Sequence, residues 1–473
     1  MLDYFPKFFT NKAISLYLIS LLLISLMFFS QIMSVLWWIT GISAVVGFFY
    51  FSNKLTQKWG NYYPETFSKK VFKTALILRV SWVIISYFLY IMMTGKPFEF
   101  SAADAGFYNE MGNFGSQLIK QGNFNFISAF DRYSGGMALS DTGYPLYLSF
   151  IYFLTGNSIL IARLIKAILG AWMCVLIYKL ASRNFGESVG RMAAIFCMLM
   201  PNLIYYSGLH LKEAEMVFLI VLFIERADSL IRVHKYTFLT VLPVLLIGGA
   251  LFFFRTVLGA TAMFALFTAL ILSSRRVMSM NKKVILTGWI IVALAFFAGS
   301  AIVNELEEIW ETRFENQETS LEFRASREGG NSLAKYASKS IFVPFIFVIP
   351  FPTMVDISHQ QNQQLLHGGY VVKNVMAFFV LFALFLIIKE KKWRDNVLIT
   401  SFTLGYLLVV ALSAFAQSER FHMPALPFLL ILAAYGVSNI TNKEKKLFNG
   451  YLMLMFVIFI AWNWFKLAGR GMA

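Results

Sequence analysis

The stretch that decides the fold is residues 74–94, TALILRVSWVIISYFLYIMMT. It is long enough to cross a bilayer, because a transmembrane helix needs about 20 largely apolar residues. Similar runs recur along the chain, and they are too long for the strands of a membrane barrel, which need roughly 9–11 residues. Since a spanning segment must satisfy its backbone hydrogen bonds internally, the sequence predicts an all-α, polytopic helical membrane protein.

The composition supports this fold class. Hydrophobic residues make up 58% of the chain and charged residues 14%, and the mean hydropathy is +0.65. The net charge of +16 would suit nucleic-acid binding only if Lys and Arg were collected on one soluble face. They lie instead in short loops between apolar runs, so we predict membrane lipids and no nucleic acid as partners. Cys174 and Cys197 lie inside apolar runs, where packing is the expected role.

The apolar windows predict about thirteen transmembrane helices. An odd number places the two termini on opposite sides of the membrane. The first window lacks a small-residue cleavage site, so we expect a retained helix and not a signal peptide. The predicted spans are residues 13–30, 33–51, 73–94, 159–181, 190–207, 214–230, 236–254, 257–274, 284–303, 371–388, 396–415, 424–440 and 447–465.

Charge bias between alternate loops predicts the orientation. Cytoplasmic loops are enriched in Lys and Arg, and one set of alternate loops carries such residues throughout, for example Lys54, Lys69, Arg232, Arg275, Lys392 and Lys446. The opposite set holds residues 95–158, the turns near Lys212, Arg255 and Arg420, and the acid-rich loop 304–370. We therefore expect chemistry on the external side, which is the periplasmic side of a bacterial inner (cytoplasmic) membrane if the cell is Gram-negative.

The predicted organisation has four parts. Residues 1–71 form a transmembrane hairpin with a cytoplasmic loop, and residues 72–303 form the main module, with the first external loop at 95–158. Residues 304–370 form an external cap, in which the proline-containing stretch 341–357 is re-entrant or surface-lying. Residues 371–473 supply the last helices. Within the first external loop, residues 144–154 are apolar but short, which indicates an interfacial helix.

Ionisable residues collect at the external membrane boundary. The stretch after the opening apolar run, DAGFYNEMG at residues 104–112, carries Asp104 and Glu110, and later turns carry further charges. Arg and Lys bind phosphate oxygens, and a carboxylate takes the proton from an attacking hydroxyl. A site for a lipid phosphate and an acceptor hydroxyl needs this mixture. The candidate residues are Asp104, Tyr108, Tyr144, Arg163, Lys212, Glu213, Arg255, Arg420 and His422.

Each candidate also has a plain structural interpretation. Asp104 could be a solvated acid or the N-cap of a helix beginning at Ala105. Lys212 and Glu213 could form an ion pair with each other at the boundary. Arg255 and Arg420 could reach to lipid headgroups. His359 and His367 could ligate a metal, but the spacing favours an ordinary polar loop.

Four stretches together resemble the type C membrane glycosyltransferases that use polyprenyl-phosphate sugars. The likeness is closest to the branch that contains bacterial protein O-mannosyltransferase-like enzymes and the lipid A aminoarabinose transferase. The stretches are DAGFY at 104–108, the run from GYPLY at 143–147 to residue 186, PNLIYYSGLHLKE at 201–213, and ERFHMPALPFLLILAAYG at 419–436. The sequence departs from the family pattern in three ways. Two extra spans precede the acidic loop, no second acid lies directly beside Asp104, and the loop 304–370 matches no part of the family.

The resemblance implies a type C bundle and an inverting transfer. Asp104 would act as general base or orient the acceptor, and Glu213 would be the second acidic residue. Lys212, Arg255 and Arg420 would neutralise the leaving phosphate, with Arg163 and His422 as further binding residues, and Tyr108 and Tyr144 would stack on the sugar. The donor would be a polyprenyl-phosphate sugar and the acceptor a lipid, glycan or protein. Some family members need a divalent cation and others do not.

Two rival functions fit the same hydropathy pattern. The first is an O-antigen-type polymerase or ligase, in which Arg313, Arg324 and Arg327 would recognise a polyprenyl pyrophosphate. The second is a lipid or sugar transporter, which would place its polar groups near the midplane of the membrane and often contains an internal repeat. The sequence shows no such repeat, and its clearest ionisable groups lie at the boundary.

Overall fold

The structure, a computed structural model, describes residues 2–232, 237–274, 343–413 and 415–472, with isolated positions at 281, 284, 287, 288, 322, 326 and 330–332. Across these residues the secondary structure is helical, without a strand, so the predicted all-α class is confirmed. Most of the predicted span 284–303 and of the loop 304–340, with Arg313, Arg324 and Arg327, lies outside the described residues.

Long apolar helices dominate the described chain. Six of them are long and apolar enough to cross a membrane, or seven if one bent pair counts as a single span, which identifies a helical membrane protein. These six are α1 (Lys7–Met27), α2 (Val35–Trp59), α3 (Pro64–Thr94), α7 (Ile159–Phe185), α13 (Gln361–Lys389) and α17 (Asn442–Ala468). Each predicted window other than 284–303 overlaps a helix, but the total of about thirteen spans stays a prediction.

Shorter helices fill the space between these six. The predicted first external loop folds as three helices, where the sequence predicted one interfacial helix at 144–154. The shorter helices are α4 (Ala103–Lys120), α5 (Phe126–Ser134), α6 (Leu139–Thr155), α8 (Glu187–Leu199), α9 (Pro201–Ser207), α10 (Glu213–Arg232), α11 (Phe238–Phe254), α12 (Thr256–Leu272), α14 (Val397–Ala411), α15 (Glu419–His422) and α16 (Leu426–Ser438).

Helices α4 and α6 pack closely, and this fixes the position of Asp104. A Cβ atom at Gly115 of α4 would lie 1.9 Å from the Ser149 hydroxyl oxygen of α6, so only glycine permits this approach. Helix α4 begins at Ala103 with Ala102 as its N-cap. Asp104 therefore lies in the first turn and is not the N-cap, which removes one structural explanation for its carboxylate.

A bend between two consecutive helices, α8 and α9, sets the direction of the chain before Glu213. Helices α8 and α9 meet at an angle of 49°, next to Pro201, which lacks a backbone N–H donor. The buried Arg79 side chain of α3 donates to the Cys197 carbonyl at 3.2 Å and the Met198 carbonyl at 3.4 Å. It thereby satisfies carbonyls that the break leaves without helical partners. The bend directs α9 and the following turn towards α10.

The segment before α13 has irregular backbone. Its described part, residues 343–360, forms a single 3₁₀ turn and no α-helix. The Asn374 side chain donates to the Val348 and Pro350 carbonyls, and the Met354 amide donates to the Asn463 side chain at 2.7 Å. These amide side chains satisfy backbone groups that are buried within the protein. Whether the segment re-enters the membrane stays a prediction.

Helices α13 and α16 are in backbone contact at Gly436. A Cβ atom there would lie 2.2 Å from the Phe379 carbonyl oxygen of α13, a contact that only movement of the two helices could relieve. Helix α16 follows directly on α15, so this contact also sets the position of Arg420.

We expect Gly436→Ala to lower the free energy of unfolding by about 1–3 kcal/mol through overpacking. SDS titration of the purified protein in mixed micelles measures this quantity. Gly450→Ala on α17 is the matched control, since no atom lies within 4 Å of the added Cβ. Equal losses in the two variants would contradict the close contact.

Candidate active site

The Arg420 side chain joins the two acidic residues that the sequence singled out. Its Nε donates to Oε1 of Glu213, and its Nη1 donates to Oδ2 of Asp104, both in tight contact. These partners lie 207 and 316 positions away in the chain. Asp104 comes from the first turn of α4, Glu213 begins α10 and Arg420 lies in the short helix α15. Three predicted site residues therefore converge at one point.

The two carboxylates differ in exposure. The Glu213 side chain is fully buried, whereas that of Asp104 is 55% exposed, and Arg420 lies between them at 23%. Oε2 of Glu213 has no hydrogen-bond partner among the described residues. A proton acceptor for an incoming hydroxyl must be within reach of that hydroxyl. Asp104 meets this requirement, while Glu213 is placed to hold Arg420.

Lys212 and Glu213 are adjacent but have different partners. Nζ of Lys212 donates to Oδ1 of Asp141 and, at 3.3 Å, to the Ser140 carbonyl. Burial lowers the pKa of Lys212, and the Asp141 carboxylate opposes that shift. The predicted ion pair between Lys212 and Glu213 is therefore not formed. Lys212 instead ties the turn before α10 to the start of α6.

Arg255 is the cation of the site without a carboxylate partner in the described part of the chain. Its guanidinium carbon lies 4.5 Å from the Phe421 ring centroid, in a cation–π contact, and the group lies beside the Tyr406 hydroxyl. Nη1 of Arg255 is buried and has no hydrogen-bond partner among the described residues. Because Phe421 is the neighbour of Arg420 in sequence, Arg255 borders the carboxylate cluster.

The two predicted sugar-stacking tyrosines are covered by protein. Tyr108 is 4% exposed and Tyr144 is fully buried, and their rings pack edge-to-face at 5.1 Å. Nζ of Lys166 donates to the Tyr144 hydroxyl at 3.1 Å. Neither ring presents an open face to a ligand in this structure, so their described role is in the wall of the site.

Two further predicted binding residues are also buried. Arg163 donates to the Pro97 carbonyl and lies 5.9 Å from the Tyr87 ring centroid. Nε2 of His422 faces the Ala416 carbonyl at 2.7 Å, which fixes the turn that carries Arg420. Arg163 and His422 thus contact backbone carbonyls, and neither pairs with Asp104 or Glu213 among the described residues.

Lys166, which was not among the predicted site residues, is a buried side chain that supports the site. Nζ of Lys166 donates to the Leu209 carbonyl at 2.9 Å and the Leu211 carbonyl at 2.6 Å, and lies 3.4 Å from Oε2 of Glu215. Lys166 thereby holds the turn that leads into Glu213. A lysine inside an apolar span was the available signal, because such residues are costly unless they have partners.

The described residues do not favour a metal centre. No group of three or more His, Cys, Asp or Glu side chains in the described ranges could hold a metal ion. The guanidinium of Arg420 already occupies the place between the Asp104 and Glu213 carboxylates. His367 is buried, with Nε2 2.8 Å from the Tyr17 hydroxyl and Nδ1 2.6 Å from the Gln364 carbonyl. Its ring nitrogens are therefore engaged within the protein.

No protein-family model matches the chain, and no curated protein matches it.

The difference in exposure predicts unequal stability effects. Arg420→Met leaves the Glu213 carboxylate buried without its cation, so we expect a loss of about 3 kcal/mol in the free energy of unfolding. Asp104→Asn removes a half-exposed charge and should cost less than about 1 kcal/mol. SDS titration of both variants in the same mixed micelles provides the comparison. A loss for Arg420→Met as small as that for Asp104→Asn would show that Glu213 does not depend on Arg420.

Proposed function

We propose that the chain is a type C membrane glycosyltransferase that moves a sugar from a polyprenyl-phosphate donor, such as undecaprenyl phosphate, to an acceptor hydroxyl. The observation that supports this proposal is the guanidinium of Arg420 bound between Asp104 and Glu213. Three stretches of the family resemblance supply these residues. If Arg420 only reached to lipid headgroups, it would not be expected to bind both carboxylates.

Asp104 is the proposed general base. The acceptor hydroxyl would give its proton to the Asp104 carboxylate while its oxygen attacks the anomeric carbon of the donor sugar. The bond between that carbon and the phosphate oxygen would break, and the polyprenyl phosphate would leave with the electron pair. Attack opposite to the leaving group inverts the anomeric carbon. Arg420 orients the base, since its Nη1 binds one carboxylate oxygen.

Arg255 is the proposed partner of the leaving phosphate. The charges of Arg420 and Lys212 are balanced by Asp104, Glu213 and Asp141, whereas Arg255 has no such partner among the described residues. An arginine that gains its anion only when the donor binds can stabilise charge that develops in the transition state. Lys212 would add a weaker, longer-range contribution.

The proposed architecture follows the predicted spans. About thirteen transmembrane helices would place the two termini on opposite sides of a bacterial inner membrane. Helices α4, α5 and α6 would lie at the periplasmic surface as the interfacial helices of a type C bundle. The acceptor would be a hydroxyl of a lipid, a glycan or a protein that approaches Asp104 from this side.

We expect Asp104→Asn to abolish transfer, a loss of at least about 100-fold in rate, because the amide cannot accept the acceptor proton. The assay follows a labelled sugar from polyprenyl monophosphate to membrane acceptors in vesicles that contain the protein. Glu110→Gln is the matched control on the same helix, since Glu110 is exposed and accepts from the Tyr133 hydroxyl at 2.9 Å.

The outcomes separate the rival functions. Full transfer by Asp104→Asn would remove Asp104 from catalysis. Turnover with a polyprenyl-pyrophosphate glycan, and none with the monophosphate, would favour a polymerase or ligase. Movement of the substrate across sealed vesicles without covalent transfer would favour a transporter.

We expect Arg255→Met to reduce kcat/KM for the donor by roughly 100-fold, the usual effect of removing one group that stabilises transition-state charge. Arg255→Lys should retain part of this activity, since it keeps the charge but loses the planar group. Arg132→Met is the control, because Arg132 is exposed in the first external loop, on the same predicted side of the membrane, and donates to the Ser128 carbonyl. Unchanged kinetics in Arg255→Met would exclude Arg255 from phosphate binding.

A further inference from the structure

A buried ion pair lies directly behind Arg420. Glu419, the preceding residue of α15, is 2% exposed. Its Oε2 lies 3.2 Å from Nζ of Lys373, and its Oε1 accepts from Nδ2 of Asn202 at 2.9 Å. Lys373 comes from α13 and is itself 3% exposed, while Asn202 comes from α9. Three helices therefore meet at one buried carboxylate.

Glu419 is a potential competitor for Arg420. The Arg420 guanidinium binds the Asp104 and Glu213 carboxylates, and a third carboxylate belongs to Glu419, the preceding residue of the same short helix. A buried carboxylate without a cation is costly, so it attracts any guanidinium that the local backbone can deliver. Arg420 is the adjacent residue in sequence. In the structure, Nζ of Lys373 occupies the Glu419 carboxylate instead.

We propose that Lys373 is a positioning residue that neutralises Glu419 and so keeps Arg420 directed towards Asp104 and Glu213. The effect on turnover rests on the proposed sugar transfer, whereas the pairing of Arg420 does not.

The packing around Asn202 supports this role independently. A Cβ atom at Gly369 of α13 would lie 2.4 Å from Oδ1 of Asn202, so the amide fits only against glycine. The amide thereby stays directed at Glu419, and it lies on α9, shortly before the turn that delivers Glu213. Asn202 therefore connects Glu419 of α15 to the segment that leads into Glu213.

A double-mutant cycle tests the proposal on the full-length protein in detergent. The readout is carbodiimide-driven coupling of glycine ethyl ester to Asp104, quantified by peptide mass mapping against Glu110 as the reference. Asp104 is half-exposed, so its coupling rises when Arg420 leaves it. The variant Arg420→Met defines the upper limit of that rise.

We expect Lys373→Met to raise Asp104 coupling towards this limit and to lower kcat/KM by roughly 100-fold, as expected for a displaced catalytic group. The double variant Lys373→Met/Glu419→Gln removes the competitor together with its partner. It should return both measurements to near the values of the unmodified protein, although it lacks the ion pair. Lys373→Arg keeps the cation and should behave as the unmodified protein does.

Two further variants separate positioning from general destabilisation. Gly369→Ala displaces the Asn202 amide without changing any charge, and it should raise Asp104 coupling by a smaller factor than Lys373→Met. Lys392→Met breaks an exposed pair with Glu390, 2.7 Å across, and should change neither measurement. Thermal unfolding of each variant shows which effects follow from loss of the fold.

Unchanged Asp104 coupling in Lys373→Met would overturn the proposal, and so would a double variant as impaired as the single one. Raised coupling in Lys373→Met together with absent transfer by the unmodified protein would instead overturn the proposed function and leave the positioning role intact. The two failures are therefore distinguishable.

Discussion

A single guanidinium from the last part of the chain holds two carboxylates from its first half, and the site depends on this contact. Glu213 is fully buried, so its charge can be maintained only beside a cation. Arg420 provides that cation and also binds the exposed Asp104. The requirement fixes α4, α10 and α15 relative to one another. The pairing therefore determines where an acceptor hydroxyl could meet a base.

Other buried charged side chains near the site also have partners that satisfy them. Lys166 is buried against Glu215 and two carbonyls, and Lys373 is buried against Glu419. Arg79, which has no carboxylate among its described contacts, donates to carbonyls freed by the break between α8 and α9. Each of these cations joins segments that lie far apart in sequence. Buried Lys and Arg side chains in this protein therefore connect particular helices and turns through hydrogen bonds and ion pairs.

The helices could be predicted from the apolar runs, and the predicted common side of Asp104, Glu213 and Arg420 left open whether these residues meet. The partner of each side chain could not be predicted. Hydropathy gives the depth of a residue but not the rotation of its helix, which depends on close contacts such as Gly115 against Ser149. That rotation buries Tyr108 and Tyr144, and it pairs Lys212 with Asp141 instead of Glu213.

The cations of the site differ in whether a carboxylate already neutralises them. Sequence alone treated Lys212, Arg255 and Arg420 as equivalent phosphate ligands. In the structure two of them already have carboxylate partners, and an anion would have to compete with those partners for hydrogen bonds. Arg255 has a ring and a hydroxyl beside it, and neither neutralises its charge. A phosphate would gain most beside Arg255, where no existing ion pair has to be broken.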